Sequence, residues 1–263
     1  MNETLAALRA RRSVRVFTQE AVSPADKAAL LDAALQAPTA GNQTLYTILD
    51  ITDAAKKERL AALCDHQPFI ASAPVVLVFL ADCRKWYQAF AAAGCAPRAP
   101  GAGDLLLAAA DACIAAQNVV VAAESLGLGS CYIGDVLENC EAMRELLALP
   151  ALVVPAAMLV IGHPTAQQRA RPKPPRFDAA YIVRENAYDV TPPLFEEMWR
   201  AREPAADYAA RMQAFCARKY NSDFSREMTR SAEVYLRDFF ACVSMPEDRP
   251  ENEKDGPAAM ADR

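Results

Sequence analysis

Two short runs of basic side chains stand out as groups that could hold a ligand. The first run holds four arginines within seven residues, Arg9, Arg11, Arg12 and Arg15. No acidic residue lies between Glu3 and Glu20 to compensate them. Guanidinium groups at this spacing, with the hydroxyl of Ser13 among them, suit a phosphate held by charge-assisted hydrogen bonds. The run alone leaves a second interpretation open, a basic helix face that water solvates.

The second run favours the anion site. It contains Arg169, Arg171, Lys173 and Arg176 within eight residues, and no acid occurs from Leu146 to Phe177. Three prolines in this run predict an extended, stiff segment over 165–176 that holds its cations in place. Two uncompensated clusters in a chain of net charge −5 predict a bound anionic ligand.

Composition excludes several classes of protein. With 28 basic and 33 acidic residues, a dedicated nucleic-acid binder is disfavoured. The longest apolar runs are interrupted by Asp111 or Pro155, so no membrane span is predicted. The N-terminal residues do not read as a signal peptide, and the eight cysteines form no Cys-x-x-Cys pair. Reduced thiols in a cytoplasmic protein are therefore expected.

Motifs of common enzyme classes are missing. The two histidines, His66 and His163, form no His-Glu-x-x-His pattern, and no metal site is predicted. Gly127-x-Gly129 lacks the third glycine of a dinucleotide fingerprint. The spacing from Gly129 to Gly134 ends on Asp135, where a phosphate-binding loop requires lysine.

The elements that must position the basic runs are helices alternating with a few strands. Strands are predicted at 46–52, 74–80, 130–133 and 153–161, and helices at 2–12, from Ser23-Pro24, and at 53–64, 104–126, 138–149, 195–201, 207–219 and 222–243. The helix over 104–126 is apolar almost all round, which predicts a central buried helix. Helices that alternate with a few strands indicate an α/β or α+β sandwich with a long central helix.

The sequence resembles the flavin-dependent nitroreductase family, and within it most resembles the branch of NADPH nitroreductases and flavin reductases. The resemblance covers about residues 3–190 and implies an α+β fold, an α/β sandwich with a central mixed β-sheet. Its landmarks are 11–15 (RRSVR), 37–43 (APTAGNQ), 66–69 (HQPF), 127–134 (GLGSCYIG), 162–164 (GHP) and the Lys/Pro/Arg segment ending at Arg176.

The resemblance implies FMN as cofactor and assigns roles to individual residues. By this resemblance, the FMN phosphate would be bound by Arg11, Arg12, Ser13, Lys173 and Arg176. Arg15 would reach the pyrimidine edge of the ring, where its charge stabilises the anion formed on reduction. Backbone groups of Tyr132, Ile133 and Gly134 would line the ring near N5.

The resemblance also implies a homodimer with FMN at the subunit interface, which would bury the helix over 104–126. Thr39 is also expected to contact FMN. Gln43, Gln67 and Phe69 are expected to contact the FMN bound by the partner subunit. The resemblance implies an FMN-binding domain at 1–190. A helical extension at 191–245 that wraps the dimer or active site is predicted to follow it, and the proline- and charge-rich tail at 246–263 is predicted to be disordered.

The implied activity is ping-pong hydride transfer from NADPH or NADH to a small aromatic acceptor, namely a nitroaromatic, a quinone or free flavin. Two alternatives stay open, a flavin enzyme of this fold with a dedicated reaction such as reductive dehalogenation, and a non-catalytic flavin-binding module. Asp135 departs from a glycine that is frequent in this branch. Candidates for contacts to NADPH are Arg218, Lys219 and Arg226.

Overall fold

The computed structural model of the protein describes residues 2–204 and 207–244, and the tail predicted to be disordered, 246–263, lies outside that part. The strands of the described part are β1 (Tyr46–Asp50), β2 (Val75–Asp82), β3 (Gly129–Ile133) and β4 (Val153–Gly162). Its helices are α1 (Glu3–Ala10), α2 (Pro24–Leu35), α3 (Ala54–Leu63), α4 (Pro68–Ser72), α5 (Arg84–Ala92), α6 (Ala102–Ser125), α7 (Cys140–Leu147), α8 (Ala166–Ala170), α9 (Ala179–Ile182), α10 (Pro192–Arg202), α11 (Tyr208–Lys219) and α12 (Asp223–Ser244). Short 3₁₀ turns occur at Ala40–Asn42 and Asp135–Leu137.

Helix starts follow capping signals in the sequence. Ser23 accepts a hydrogen bond from the backbone N–H of Asp26 at 3.0 Å, and Pro24 occupies the first turn of α2. Asp53 caps α3 in the same way, accepting from the N–H of Lys56 at 2.8 Å. These side chains satisfy backbone donors that the first turn of a helix leaves free.

The four strands form one sheet in the order β1-β2-β4-β3, and all three pairings are antiparallel. The α+β sandwich is confirmed, whereas the expectation of a mixed sheet is wrong for these strands. The one parallel pairing in the described residues is an isolated bridge between Ser13 and Ser130. The segment around Ser13 approaches β3 over too short a length to add a parallel strand.

Both faces of the sheet are covered. Every residue of β2 is buried, and its side chains alternate between two cores, as strand geometry requires. Val76 and Val78 pack in the core that includes residues of α3, α4 and α7. Leu77 and Phe79 pack in the core shared with α2 and α6.

Helix α6 is buried on one face only. The face toward the sheet includes Ala112, Ala116 and Val119, all fully buried. The opposite face leaves Leu106 72% exposed and Ile114 40% exposed. Among the described helices α6 alone is long and apolar enough to cross a membrane, a test that core helices of soluble proteins also pass. In the single chain, α6 is therefore buried on the face toward the sheet, as predicted, and exposed on the opposite face.

The last helix returns to the body of the fold. Tyr235 and Phe239 of α12 are buried in a third apolar core with Leu105 and Cys140. The hydroxyl of Ser231 accepts a hydrogen bond from the N–H of Cys140 at 3.0 Å, which fixes α12 to the start of α7. At least this part of the C-terminal segment is thus integrated with residues 1–190.

Candidate functional site

The two basic runs meet in the folded chain. The guanidinium Nη1 of Arg12 donates to the carbonyl oxygen of Arg169 at 2.7 Å and also to that of Arg171. In the opposite direction, Nζ of Lys173 donates to two carbonyl oxygens at the end of α1, at 2.8 and 3.2 Å. These bonds use the free carbonyls of both segments and hold the basic side chains in one place.

The side chains brought together carry net positive charge that the nearby Glu124 of α6 offsets only in part. We call them the cation cluster: Arg11, Arg12, Arg15, Lys173 and Arg176. None of the five makes an ion pair with the residues that the structure describes. Partial desolvation, together with the neighbouring charges of Arg176 and Arg11, lowers the pKa of Lys173. Such mutual repulsion is what a bound anion would relieve.

A close approach of two segments positions the first basic run. The N–H of Val14 donates to the carbonyl oxygen of Ser130 at 2.9 Å, and Val14 is buried against β3. A Cβ atom at Gly129 would lie 2.6 Å from a methyl carbon of Val14. Glycine at that position is therefore what lets residues 11–15 lie along the start of β3.

Arg15 and Ser13 lie beside Cys131 on β3. Burial raises the pKa of the Cys131 thiol, while the Arg15 charge and a hydrogen bond with Ser13 act to lower it. The backbone N–H of Arg15 donates to Oε1 of the buried Gln168 at 3.3 Å. A buried thiol with a raised pKa stays protonated, which fits a packing residue better than a redox thiol.

The end of β3 offers an open surface. The hydroxyl of Tyr132 donates to Oε1 of Gln117 on α6 at 3.4 Å, and burial raises its pKa to about 12. The side chain of Ile133 is buried, so only its backbone can serve a ligand. An added Cβ at Gly134 would meet no heavy atom within 4 Å.

Gln67 adjoins this surface from its own chain. Its Nε2 donates to Oδ1 of Asp135 at 2.9 Å. Left-handed backbone at Asp65 and His66 turns the loop so that Gln67 reaches the 3₁₀ turn after Gly134. The contribution of Gln67 and Phe69 to a partner's flavin stays a prediction; in its own chain Gln67 lies beside Asp135, and Phe69 is half-buried on the core.

Acidic side chains cluster behind Gly134, which the sequence did not single out. Burial raises the pKa of Asp135. Glu138 is 4% exposed, and burial with the nearby charges of Asp135, Asp65 and Glu227 raises its pKa to about 7. Within the described residues no group of three or more potential ligands is placed to hold a metal ion.

A buried carboxylate on α6 holds the loop that carries Thr39 and Gln43. Asp111 is 3% exposed and accepts from the Thr39 hydroxyl, from the N–H of Ala40 at 3.0 Å and from the N–H of Leu45 at 3.2 Å. The Thr39 Oγ1 in turn accepts from the N–H of residue 44 at 2.7 Å. In the sequence, Asp111 stands out only as a break in an apolar run.

This loop and the cation cluster lie at different ends of α6. Glu124, near the end of the helix, lines a cavity of about 210 Å³ together with Arg12 and Gly127. At a rise of 1.5 Å per residue, Asp111 lies roughly 20 Å along the axis from Glu124. Within one chain, Thr39 and Gln43 are therefore far from the phosphate-binding candidates.

The three C-terminal candidates are separated. The guanidinium of Arg218 lies 5.5 Å from the ring centroid of Phe215, in a cleft between α10 and α11. The charge of Lys219 acts to lower the pKa of Asp135, which places it toward the Gly134 end. Arg226 pairs with Asp223 at 3.9 Å. The structure gathers no common site from them.

Comparisons with known proteins agree with this geometry. A family model described as the nitroreductase family matches residues 8–163. The oxygen-insensitive NADPH nitroreductase of Salmonella typhimurium is 36% identical over 210 residues, covering 79% of this chain and 83% of that protein. The FMN reductase (NADPH) of Bacillus subtilis is 28% identical over 243 residues, or 91% of this chain and 96% of that protein. The solved NADPH:FMN oxidoreductase of Vibrio harveyi complexed with NAD+ superimposes with a TM-score of 0.71 at 27% identity, covering 94% of this chain and all of that one (100%).

Proposed function

The chain belongs to the nitroreductase family, and from this premise we propose that it is an FMN-dependent oxidoreductase. It takes electrons from NADPH or NADH and passes them to a nitroaromatic, a quinone or free flavin. The observation that carries the proposal is the cation cluster. Backbone carbonyls fix the side chains of Arg12 and Lys173, and none of the five cations forms an ion pair within the described residues.

The donor set of the cluster fits a single phosphate. Arg11, Arg12, Lys173 and Arg176 supply positive charge, and Ser13 supplies a hydroxyl on the segment that lies along β3. Arginine and lysine donors of this kind hold phosphate through short charge-assisted hydrogen bonds. FMN carries one such phosphate and, when bound, supplies the hydride chemistry.

The residues that follow along β3 would orient the ring. Arg15 lies beside Cys131, one residue before Tyr132, so its charge is available to the electron-rich edge of a ring placed there. Gly134 leaves open space, and Gln67 offers its amide from the same chain beside it. In this proposal Tyr132, Ile133 and Gly134 act through their backbone.

A homodimer completes the site. The exposed apolar face of α6, including Leu106, Leu107 and Ile114, is a surface that a second copy would cover. The Thr39–Gln43 loop lies roughly 20 Å from its own cation cluster, so it can serve a flavin only across such an interface. A cytoplasmic location is part of the same proposal, in keeping with the seven free thiols among the described cysteines.

The purified protein tests the proposal directly. It should be yellow, acid should release FMN rather than FAD, and initial-rate plots at several acceptor concentrations should be parallel because donor and acceptor must use the same face of one flavin. A colourless protein that takes up no FMN would refute the proposal. Steady NADPH oxidation with a quinone excludes a non-catalytic flavin-binding module, and a turnover confined to one halogenated substrate would favour a dedicated reaction instead.

A further inference from the structure

A second cavity lies beside the Thr39–Gln43 loop and has no part in holding the cofactor in the proposal above. Its volume is about 420 Å³, within the size range of small-molecule pockets. Its walls come from α5, from the segment that joins α5 to α6, and from the first turns of α6. Gln43 is the one residue of the cofactor set that lines it.

Two aromatic rings of α5 form one wall. The ring centroids of Trp86 and Phe90 lie 5.5 Å apart, with their planes inclined by 32°. Both side chains are more than one third exposed, so part of each ring is open to a ligand within the described structure. Together with Tyr87 they present an aromatic surface that is suited to a planar ring system.

The aromatic wall is tied to the loop that would reach the flavin. The indole Nε1 of Trp86 donates to the carbonyl oxygen of Gln43 at 2.6 Å. The cavity therefore continues directly from a residue placed at the partner's flavin in the proposed dimer. In the proposed dimer, a ligand between Phe90 and Gln43 would therefore adjoin the flavin site of the partner subunit.

The facing wall is held in place by charge. Arg98 donates to both carboxylate oxygens of Asp104, at 2.6 and 3.0 Å. Asp104 also accepts from the N–H of Gly101 at 2.7 Å, which closes the segment onto the start of α6. The interior between these walls is mainly apolar, with Leu45 and Leu107 among its lining residues.

We propose that this cavity binds the acceptor and selects planar molecules of two or three fused rings over single rings. The proposal rests on the proposed function, since it places the acceptor beside the partner's flavin. Stacking on Trp86 and Phe90 grows with the area of the ligand ring, and a single ring covers only part of this surface. Among the acceptors named above, naphthoquinones and flavins are favoured over one-ring nitroaromatics.

The first test compares menadione, a two-ring quinone, with p-benzoquinone, a one-ring quinone, in the FMN-loaded enzyme. Phe90→Ala removes one aromatic wall without touching the Trp86–Gln43 hydrogen bond. We expect it to raise the KM for menadione about three- to ten-fold, the range of a lost aromatic contact. The KM for p-benzoquinone and the rate at which NADPH bleaches the flavin should change less than about two-fold. Tyr188→Ala, at a residue 84% exposed and outside the cavity, is the matched control.

A binding measurement supplies a readout that does not depend on turnover. The chain has two tryptophans, so Trp199→Phe leaves Trp86 as the only indole. In that background menadione should quench the fluorescence of Trp86 without any NADPH present. Adding Phe90→Ala should weaken the binding derived from this quenching by the same three- to ten-fold factor.

The outcomes separate the two proposals. Equal KM changes for one-ring and two-ring quinones, or no change for either while NADPH still bleaches the flavin, would overturn the acceptor cavity and leave the proposed function standing. A shift of the Phe90→Ala protein from dimer to monomer in sedimentation would also overturn it, since the wall would then be a subunit contact. If menadione quenched Trp86 fluorescence in a protein that binds no FMN, the cavity would be confirmed as a ring-binding site, and the proposed reductase activity would be refuted.

Discussion

Replacing Asp111 with alanine should destabilise the protein far more than an ordinary polar substitution does. The carboxylate is the acceptor for two backbone N–H groups, those of Ala40 and Leu45, and for the hydroxyl of Thr39. Alanine at this position removes all three acceptor contacts at once. Leu45 is buried, so water cannot replace the lost partner of its N–H group.

The size of the effect follows from the donors left without a partner. The N–H of Leu45 is buried and would be left without a partner, which costs about 1–3 kcal/mol, and the part-buried hydrogen bonds of the Ala40 N–H and the Thr39 hydroxyl each contribute about 0.5–1.5 kcal/mol. Removing a buried carboxylate recovers part of its desolvation penalty. We therefore expect the free energy of unfolding to fall by about 3 kcal/mol, a large share of the 5–15 kcal/mol typical of a folded protein. Asp111→Asn keeps one acceptor oxygen and should lose less.

Urea unfolding of the cofactor-free protein, followed by circular dichroism, measures this difference. Asp189→Asn is the matched control because the Asp189 side chain is 70% exposed and its ion pair with Arg184 is long, at 3.5 Å. That change should alter the free energy of unfolding by less than about 0.5 kcal/mol.

The substitution also has a functional consequence that tests the shared site. Asp111→Asn loosens the loop of Thr39 and Gln43 without touching the cation cluster, roughly 20 Å away along α6. A loss of about 1 kcal/mol from the loop contacts would weaken FMN binding roughly five-fold. Unchanged FMN affinity in a destabilised Asp111→Asn dimer would show that the loop does not contact the cofactor. A loss of stability below about 1 kcal/mol in Asp111→Ala would refute the hydrogen-bond reasoning itself.

Three further predictions concern the cation cluster, the dimer and the buried acid. Arg12→Ala should weaken FMN retention on dialysis by roughly ten- to a hundred-fold, and Arg9→Ala should change it little. Leu106→Glu should shift a dimer of about 57 kDa, twice 28.5 kDa, toward monomer in sedimentation. Glu138 has a native pKa of about 7, above that of the unfolded chain, so the native state holds more protons and stability falls as pH rises through that interval. Glu138→Gln should therefore stabilise the protein by about 2 kcal/mol more at pH 8 than at pH 5 in urea unfolding.

Helix-capping residues and unbroken apolar runs, which act locally in the sequence, correctly predicted the helices that they begin and the strand that they form. Ser23 and Asp53 cap helices as expected, and the unbroken apolar run of β2 is buried on both faces. The predicted extension over 165–176 holds only from Pro172 onward. Thr165 caps the short helix α8, accepting from the N–H of Gln168 at 3.3 Å, because the prolines begin only after that helix ends.

The remaining features depend on contacts between distant residues. Helix α5 carries Trp86 and Phe90 at i,i+4 spacing, so its sequence has an apolar face, but the helix spans only nine residues and buries none of them in this chain. Helix α4 has five residues, too few for any periodic pattern. The bond from Gln67 to Asp135 spans 68 positions and depends on left-handed backbone at two non-glycine residues. In the sequence, Asp111 only interrupts an apolar helix, and its role in holding the loop at 39–45 becomes visible in the structure.

The charge composition of the chain indicates that the cation cluster binds an anionic ligand, because acidic side chains are available elsewhere and do not pair with it. Acids outnumber bases by 33 to 28, so unpaired arginines do not result from a shortage of carboxylates. Arg230 illustrates the contrast, since it pairs with both Glu141 and Glu227 on the C-terminal side of the fold. Around Arg12 the fold instead supplies carbonyl oxygens, which fix the guanidinium without neutralising it. The five cations of the two basic segments form no ion pair within the described residues, so this arrangement can receive an anion, and the phosphate of FMN is the anion that we propose for it.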